Sequence, residues 1–456
     1  MRKTRTQQLP LSEAAPDHPK AKELSKISTI LDANLSIYDL VLQDIGVPFS
    51  AETNEDSGAE GMTAEQVVRA AIVKQVEGYS YRELAFHLQD SRTYSQFCRI
   101  GFTKSYGKST LQQNIKAISA QTWEQLNRLL MDYAKESGIE KGRKVRVDCT
   151  VVESNIHTPY DSELLMDAVR VLARNLAMAK TELPGIVMEF SDHRRRAKRR
   201  SLEILNAKNA ETRRKPYKDL IEVAERTIIY GEKAVRTLRG YQGVSLKAWG
   251  VVAFVAEQLN HYLPLARQVI CQARRRVLEN EKVPAQEKIV SLFESHTDII
   301  RKDRRDTYYG HKICLTGGAS NLITDCVVLD GNPADSTLTG MMLERQKEIY
   351  GRTPLKAALD GGFSSKENLK VAKQSGIKDV CFSKGRSLAV KDMCRSSWVY
   401  KGLRRFRAGI ESGISWLKRS LGLDRCTWKG HESFKSYVWA SVVSANLLTL
   451  ARQQLA

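Results

Sequence analysis

The hydrophobic pattern of this chain changes period several times, and these changes most constrain its fold. Residues 144–152 (KVRVDCTVV) alternate apolar and polar side chains with the period of two that is typical of a β-strand. A helical period then dominates from about residue 161 to 290, and strand patterns return at 307–316 and 321–329. Shorter segments alternate between strand and helix up to residue 450. This order predicts an α/β fold with large all-α portions, in which a helical block interrupts a mixed sheet.

The composition limits the classes of protein that this sequence can represent. The chain has 456 residues, 42% of them hydrophobic, and at about 150 residues per domain it should form two to four domains. The 72 Lys and Arg exceed the 52 Asp and Glu, and the net charge of +20 predicts a polyanionic partner, nucleic acid or an anionic membrane surface. No run approaches the ~18 apolar residues of a membrane span, and the N-terminus lacks the apolar region of a secretory signal. Scattered cysteines without a CxxC pair suit a reducing compartment rather than a disulfide or zinc scaffold.

Two capping boxes predict helices near the N-terminus. Thr63 with Gln66 should begin a helix that ends at Gly78, and Ser80 with Glu83 should begin a second one. Two helices joined by a Gly-Tyr turn have the outline of a helix-turn-helix. Residues 1–25 are polar and should be loosely ordered, and a longer helix should begin at Ser109.

Three carboxylates are candidates for metal-dependent chemistry. Asp148 lies in the first predicted strand, Asp360 ends a later strand before a Gly-Gly turn, and Glu411 lies in a basic helix. Carboxylates brought together repel one another unless they hold divalent cations, and Mg²⁺ or Mn²⁺ prefers such oxygen ligands. Among 52 acidic residues some triple can always be chosen, so the local sequence around each carboxylate carries the argument.

These local sequences match one family in order along the chain. The sequence resembles bacterial insertion-sequence transposases of the DDE type, close to the groups of IS5-, IS4- and ISNCY-like elements, over roughly residues 60–450. The matching segments are GYSYRELAFHLQDSRTYSQFCRIG (78–101), DCTVVESNIHTPYDSELL (148–165), YGHK (309–312), GNPADSTL (331–338), LDGGFSS (359–365) and RAGIESGISWLKRSLGLDRCTWKG (407–430).

The resemblance implies a ribonuclease-H-like catalytic fold with Asp148, Asp360 and Glu411 as catalytic, metal-binding residues. The implied activity is metal-dependent cleavage of DNA at transposon ends, with Mg²⁺ or Mn²⁺, followed by strand transfer into target DNA. The implied partners are double-stranded DNA and further copies of the chain, as a homodimer or larger synaptic complex. The implied location is the bacterial cytoplasm, in association with the nucleoid.

The basic helix carries part of a family signature. Arg407, Glu411 and Lys418 occupy the R, E and K positions of the IS4-like pattern Y-x2-R-x3-E-x6-K, whereas Arg404 stands at the Tyr position. These residues are separated by three, four and seven positions and should share one face of the helix. A carboxylate among cations suits a metal beside a phosphate, so Arg404, Arg407 and Lys418 are predicted to bind DNA.

A run of basic residues is a second candidate DNA contact. The segment HRRRAKRR (193–200) contains no acidic residue and shows no evident compensating partner at four-residue spacing. We expect it to grip DNA, although a solvated helix face is the simpler alternative. The candidate residues are Arg194, Arg195, Arg196, Lys198, Arg199 and Arg200.

Four segments follow from these predictions. They are a polar N-terminal segment (1–60), a helical DNA-binding domain (61–140), a ribonuclease-H-like core (141–160 with 301–456) and a basic helical insertion (161–300).

Several alternatives stay open on sequence alone. The chain could be a nuclease or resolvase without strand transfer, or a non-catalytic DNA-binding protein derived from a transposase. The N-terminal helices could read DNA or mediate dimerisation. Asn155 and His157 either line the site or serve the turn after the first strand. The sequence does not indicate the DNA ends, the target site, the working metal or the transposition route.

Overall fold

The chain forms two compact units in this computed structural model. The first contains residues 1–154 and 311–456, and the second contains residues 155–310. None of the described helices is long and apolar enough to span a membrane. The structure describes residues 3–5, 16–46, 61–101, 104–183, 185–242, 245–302, 306–383 and 388–456.

The first unit is built on a mixed sheet. Its strands lie in the order β4–β3–β1–β5–β6, in which β1, β5 and β6 run parallel and β4 pairs antiparallel with β3. In the second unit, β2 pairs antiparallel with residues 306–310 at the beginning of β3. The strands are β1 Lys144–Glu153, β2 Asp298–Lys302, β3 Asp306–Gly317, β4 Ile323–Val328, β5 Lys356–Leu359 and β6 Asp379–Phe382.

Helices make up most of the remaining chain and surround this sheet in the first unit. Those that precede the sheet are α1 Pro19–Ala33, α2 Ser36–Ile45, α3 Ala64–Glu77, α4 Tyr81–Asp90, α5 Arg92–Phe97, α6 Lys108–Ala117 and α7 Ala120–Glu136. The second unit contains α8 Asp161–Glu182, α9 Arg194–Asn206, α10 Ala210–Arg239 and α11 Leu246–Ala273. The first unit continues with α12 Thr339–Tyr350, α13 Lys366–Gln374, α14 Val390–Met393, α15 Ser397–Ser420 and α16 His431–Leu455.

The arrangement confirms the predicted fold class. A mixed sheet of ribonuclease-H type carries helices before it in the chain, and a long helical segment separates β1 from the following strands. Residues 155–310 bury their own hydrophobic core, formed mainly by α8, α10 and α11. The finer boundaries at residues 60, 140, 160 and 300 stay predictions.

Both predicted capping boxes are present. The Thr63 hydroxyl accepts the N–H of Gln66 (3.2 Å) while the Gln66 side chain accepts the N–H of Thr63 (3.1 Å). Ser80 and Glu83 make the same reciprocal pair at the start of α4. The predicted stop at Gly78 is also confirmed, because this residue has the left-handed conformation (φ 69°) that favours glycine at a helix end.

The first of these two helices is a core element. All residues of α3 from Ala64 to Gln75 are buried, and the helix packs against α2, α6 and α16. In contrast, α4 buries only Leu84 and Leu88 and leaves Arg82 exposed. If this pair of helices contacts DNA, α4 is therefore the one that presents side chains to it.

Buried amides join the N-terminal helices to the sheet and to the last helix. Asn446 of α16 donates to Asn127 of α7 (2.7 Å) and to the carbonyl oxygen of Ile323 in β4 (2.8 Å), and its own Oδ1 accepts the N–H of Ile323 (2.8 Å). Gln75 of α3 donates to the carbonyl oxygen of Leu421, after α15 (2.6 Å). Buried polar groups require such partners, so these bonds fix the relative positions of the elements.

Several predicted element boundaries were wrong. The segment expected to be loosely ordered up to residue 25 contains the start of α1 at Pro19, capped by His18. The single long helix predicted from Ser109 is in fact two helices. The backbone is extended at Ile118 and Ser119, and Ser119 caps α7. Ser119 satisfies a free N–H of the new helix, and this local bond competes with helix continuation.

Later elements also differ from their predictions. The hydrophobic pattern of the sequence did not indicate β2. Its five residues are one aspartate, two isoleucines, one arginine and one lysine. The cap of α13 is Ser365 rather than Ser364, and α15 begins at Ser397 rather than near Leu403. Ser396 caps α15 by accepting the N–H of Val399 (3.2 Å).

We expect Asn446→Ala to destabilise the first unit. The substitution removes the 2.8 Å partner of the buried Ile323 N–H and leaves its carbonyl with only the 3.5 Å contact from Asn127, at a cost of roughly 1–3 kcal/mol. The control is Thr449→Ala on the same helix, since the Thr449 hydroxyl only bonds back to Ala445 (2.9 Å). Chemical denaturation of both variants measures the difference, and equal midpoints would contradict the proposed role of the amide.

Candidate active site

The parallel pairing of β1 with β5 brings the two predicted aspartates together. The last pair in register is Val147 with Leu359, and each aspartate is the next residue along its strand. Asp148 lies inside β1, while Asp360 follows β5 and begins the turn through Gly361. Equivalent positions on adjacent parallel strands place Asp148 and Asp360 side by side at one edge of the sheet.

The third carboxylate comes from α15, which packs across β1, β5 and β6. The apolar side of this helix buries Val399, Leu403, Ile410 and Leu417. Glu411 lies in the middle of the helix, and its side chain is 59% exposed. Packing of α15 on the sheet therefore presents Glu411 to the strand end that carries the aspartates.

Arg407 contacts all three predicted carboxylates. Its Nη2 atom lies 3.1 Å from Asp148 Oδ2 and 3.0 Å from Asp360 Oδ1. Its Nη1 atom lies 2.8 Å from Glu411 Oε1, one helical turn away. The structure thus brings the predicted triad together around one guanidinium group.

The carboxylate of Asp360 is held in its charged form. Burial alone would raise the pKa of Asp360, but hydrogen bonds from Ser383 and the Gly361 N–H, together with the charge of Arg407, lower this pKa below its ordinary value. The Ser383 hydroxyl lies 2.8 Å from Asp360 Oδ1, and the N–H of Cys149 donates to Asp148 Oδ1 (2.8 Å). At neutral pH the Asp360 carboxylate is therefore anionic.

A residue that the sequence analysis missed holds α15 in place. Arg146 precedes Asp148 by two residues in β1 and so points to the same face of the sheet. It donates to the carbonyl oxygen of Phe406 in α15 (3.0 Å) and to Asn321 (2.7 Å), and it is 5% exposed. The only signal for this contact in the sequence was an arginine between two valines of the predicted strand.

Gly409 allows this close approach. A Cβ atom at residue 409 would lie 2.1 Å from Arg146 Nη1, so only glycine leaves room for the guanidinium. The contact lies two residues from Arg407 and from Glu411 along the helix. Arg146 therefore acts as a positioning residue for the carboxylate cluster.

A second ion pair, between Lys312 and Asp335, lies close to the turn after Asp360. Lys312 Nζ lies 2.6 Å from Asp335 Oδ1 and also donates to the carbonyl oxygen of Pro333 (2.7 Å). A Cβ atom at Gly362 would lie 2.4 Å from Asp335 Oδ2, so the Gly-Gly turn after Asp360 needs its glycine here. Contacts among the motifs YGHK, GNPAD and DGG thus stabilise the turn that follows Asp360.

The other cations predicted on α15 do not reach the carboxylates. Arg404 is exposed and makes no ion pair with any residue in the described part of the chain. Lys418 is 24% exposed and lies 3.6 Å from Asp424. Their predicted contacts with DNA phosphates stay predictions.

The basic run lies on α9 in the second unit, and the expectation that it lacks compensating partners was wrong. Arg196 and Arg200 both pair with Asp219 of α10. Arg200 also pairs with Glu203 (2.6 Å), and Arg199 lies 3.9 Å from the same carboxylate. Glu203 stands just beyond the acid-free octet, and Asp219 could not be identified without the helix pairing.

Fewer cations of α9 are therefore available to contact DNA than the sequence suggested. Arg194 pairs with Asp192 through two nitrogen atoms, at distances down to 2.5 Å. Arg195 and Lys198 are exposed and form no ion pair with a described residue, and Arg199 is exposed with only the long contact to Glu203. These three side chains line one face of the helix.

His157 has carboxylate partners within the second unit. Its ring nitrogen atoms lie 3.1 Å from Glu163 and 3.2 Å from Asp167, while Asn155 is exposed. Burial opposes protonation of His157, but hydrogen bonds to the Thr158 carbonyl and to Asp167, with the charge of Glu163, raise its pKa. These contacts tie the segment before α8 to the first turns of that helix.

The carboxylate cluster suits a divalent cation. Three carboxylate oxygen atoms already converge on one positively charged group, and hard oxygen donors are the preferred ligands of Mg²⁺ and Mn²⁺. Asp148, Asp360 and Glu411 are therefore the residues that could hold the metal.

We expect Gly409→Ala to disturb this site through Arg146. The new methyl group would overlap the guanidinium and should cost about 1–3 kcal/mol through overpacking. Gly413→Ala on the same helix is the matched control, because no atom lies within 4 Å of its added Cβ. That control should stabilise the helix by roughly 0.5–1 kcal/mol. Thermal unfolding of both variants tests the prediction, and equal effects would contradict it.

A comparison with known proteins finds a match over part of the chain. Residues 291–447 match a family model described as the transposase DDE domain. The match includes Asp360, Arg407 and Glu411, whereas Asp148 lies before it. No curated protein and no solved structure matches the chain. The narrower grouping with IS5-, IS4- or ISNCY-like elements stays a prediction, and residues 291–447 are identified as a transposase DDE domain.

Proposed function

We propose that this protein is a DNA transposase that cleaves DNA at transposon ends and transfers the cut strand into target DNA. The observation that carries the proposal is the convergence of Asp148, Asp360 and Glu411 on one cationic group in a chain with a transposase DDE domain.

In this proposal the three carboxylates hold Mg²⁺ or Mn²⁺. When bound, such ions stabilise the attacking and leaving oxygen atoms of an in-line phosphoryl displacement. Asp360 stays ionised because Ser383 and Gly361 donate hydrogen bonds to it. Arg146 fixes α15 against β1, and this keeps Glu411 beside the two aspartates.

The charge distribution supports a DNA partner. The chain carries a net charge of +20, and cations stand exposed on two helices. Arg404 on α15 and the group Arg195, Lys198 and Arg199 on α9 are the best candidates for phosphate contacts. Arg194, Arg196 and Arg200 are already paired with carboxylates and should contribute less.

The remaining expectations belong to the same proposal. Two transposon ends must be held together, so the active form should be a homodimer or a larger synaptic complex on double-stranded DNA. Residues 61–140 would supply a DNA contact through the exposed side of α4, including Arg82. A protein with this activity would work on the nucleoid in the bacterial cytoplasm.

We expect Asp148→Asn, Asp360→Asn and Glu411→Gln each to lower strand joining by at least about a hundredfold. Each substitution removes a metal-binding oxygen charge and changes the side-chain volume little. The measurement is cleavage and joining of a labelled duplex carrying the element's own terminal sequence, with Mg²⁺ or Mn²⁺. Glu344→Gln is the control, because Glu344 is an exposed side chain of α12 paired with Lys347 (3.1 Å).

The same assay separates the alternatives. Nicking without joined products would favour a nuclease or resolvase. Tight, salt-sensitive binding to the ends without cleavage would favour a DNA-binding protein that no longer acts as an enzyme. Full activity of Asp148→Asn would contradict the assignment of the site.

We expect the double variant Arg195→Ala/Lys198→Ala to bind DNA with a weaker salt dependence. Each lost phosphate contact should reduce the slope of log affinity against log salt by about 0.9, giving roughly 1.8 for two contacts. The control Arg274→Ala/Arg275→Ala removes the same charge from side chains already paired with Glu225, Glu281 and Glu287. Equal slopes for the two variants would exclude α9 as a specific contact.

A further inference from the structure

Arg407 is a largely buried cation that contacts all three carboxylates. One guanidinium faces three carboxylates, and Arg407 and Asp148 are each 14% exposed. The Arg407 Nε atom is buried and has no hydrogen-bond partner among the described residues. A single arginine therefore contacts three carboxylates and has one buried donor without a partner among the described residues.

Arg407 contacts one oxygen atom of each carboxylate that would hold the metal. Its contacts are Asp148 Oδ2, Asp360 Oδ1 and Glu411 Oε1, one oxygen from each candidate ligand. A guanidinium and a divalent cation repel each other, and the repulsion is strong in a partly buried site. Holding both cations on these three atoms is therefore electrostatically unfavourable.

A displaced Arg407 would need another anionic partner. Its planar group pairs well with phosphate, through two parallel hydrogen bonds. Glu411 is 59% and Asp360 is 37% exposed, so the open side of the cluster faces solvent next to these two residues. Exposed Arg404 lies on the same helix one turn before Arg407. A DNA strand that lies along α15 could thus offer Arg407 a phosphate.

We propose that Arg407 is an internal counter-ion of the active site, which a divalent cation displaces from the carboxylates and which then binds a phosphate of the DNA. The inference rests on the proposed function, because it takes Asp148, Asp360 and Glu411 as metal ligands. It adds that metal binding and DNA binding are coupled through one side chain.

This coupling is reciprocal. If a phosphate holds Arg407 away from the carboxylates, DNA raises the affinity for the metal, and the metal raises the affinity for DNA by the same factor. Without Arg407 the metal displaces no guanidinium from these carboxylates and binds tightly whether DNA is present or not. Arg407 therefore discourages metal binding in the absence of DNA.

The test is Mn²⁺ binding to the full chain, measured by electron paramagnetic resonance without DNA and with a duplex of unrelated sequence. We expect Arg407→Gln to bind Mn²⁺ at least about tenfold more tightly than the wild type without DNA. The duplex should raise the affinity of the wild type several-fold and leave that of Arg407→Gln unchanged. Arg407→Lys keeps the charge and should behave more like the wild type than the glutamine variant does.

Two controls make the outcome specific. Arg405→Gln removes a cation from an exposed position of the same helix and should leave the Mn²⁺ affinity near that of the wild type. Circular dichroism and thermal unfolding of each variant establish that it is folded. If folded Arg407→Gln binds Mn²⁺ no more tightly than the wild type, the counter-ion role is wrong. If the duplex has no effect on the wild type, the transfer to phosphate is wrong.

Failure of the inference can be distinguished from failure of the proposed function. Asp148→Asn should weaken Mn²⁺ binding both alone and together with Arg407→Gln. If Asp148→Asn binds Mn²⁺ as the wild type does, the carboxylates are not the metal site and the proposed function loses its basis. If Asp148→Asn weakens binding but Arg407→Gln does not strengthen it, the metal site stands and only the role of Arg407 falls.

Discussion

Repulsion among three carboxylates is the constraint that the rest of this active site must satisfy. Parallel pairing of β1 with β5 puts Asp148 beside Asp360, and α15 adds Glu411. Arg407 partly offsets the resulting negative charge from within the same helix as Glu411. The sheet, the helix and the arginine are therefore parts of one electrostatic arrangement, which is suited to exchange a protein cation for a metal ion.

The precision of this arrangement depends on contacts outside the carboxylates. Arg146 and Gly409 set the distance between β1 and α15, and the pair of Lys312 with Asp335 supports the turn after Asp360. Farther away, Asn446 and Gln75 join the N-terminal helices to the sheet and to the end of α15. Buried hydrogen bonds thus connect the helical N-terminal region to the element that carries Arg407 and Glu411.

Much of this could be predicted because the signals were local. Capping boxes marked α3 and α4, period-two alternation marked β1, and the segments around Asp148, Asp360 and Glu411 resembled a known family. The contacts of Arg146 with Phe406 and of Arg196 with Asp219 join residues distant in sequence, and no local pattern encodes them. For the same reason the sequence assigned Arg407 to phosphate alone and overestimated the free charge of α9.

The most direct test of the account is a crystal structure of the protein grown with Mn²⁺, using anomalous scattering to locate the ion. The account predicts a Mn²⁺ peak bound by Asp148, Asp360 and Glu411, with the Arg407 side chain moved away from at least two of them. An ion bound elsewhere, or Arg407 still in contact with all three carboxylates at saturating Mn²⁺, would contradict it.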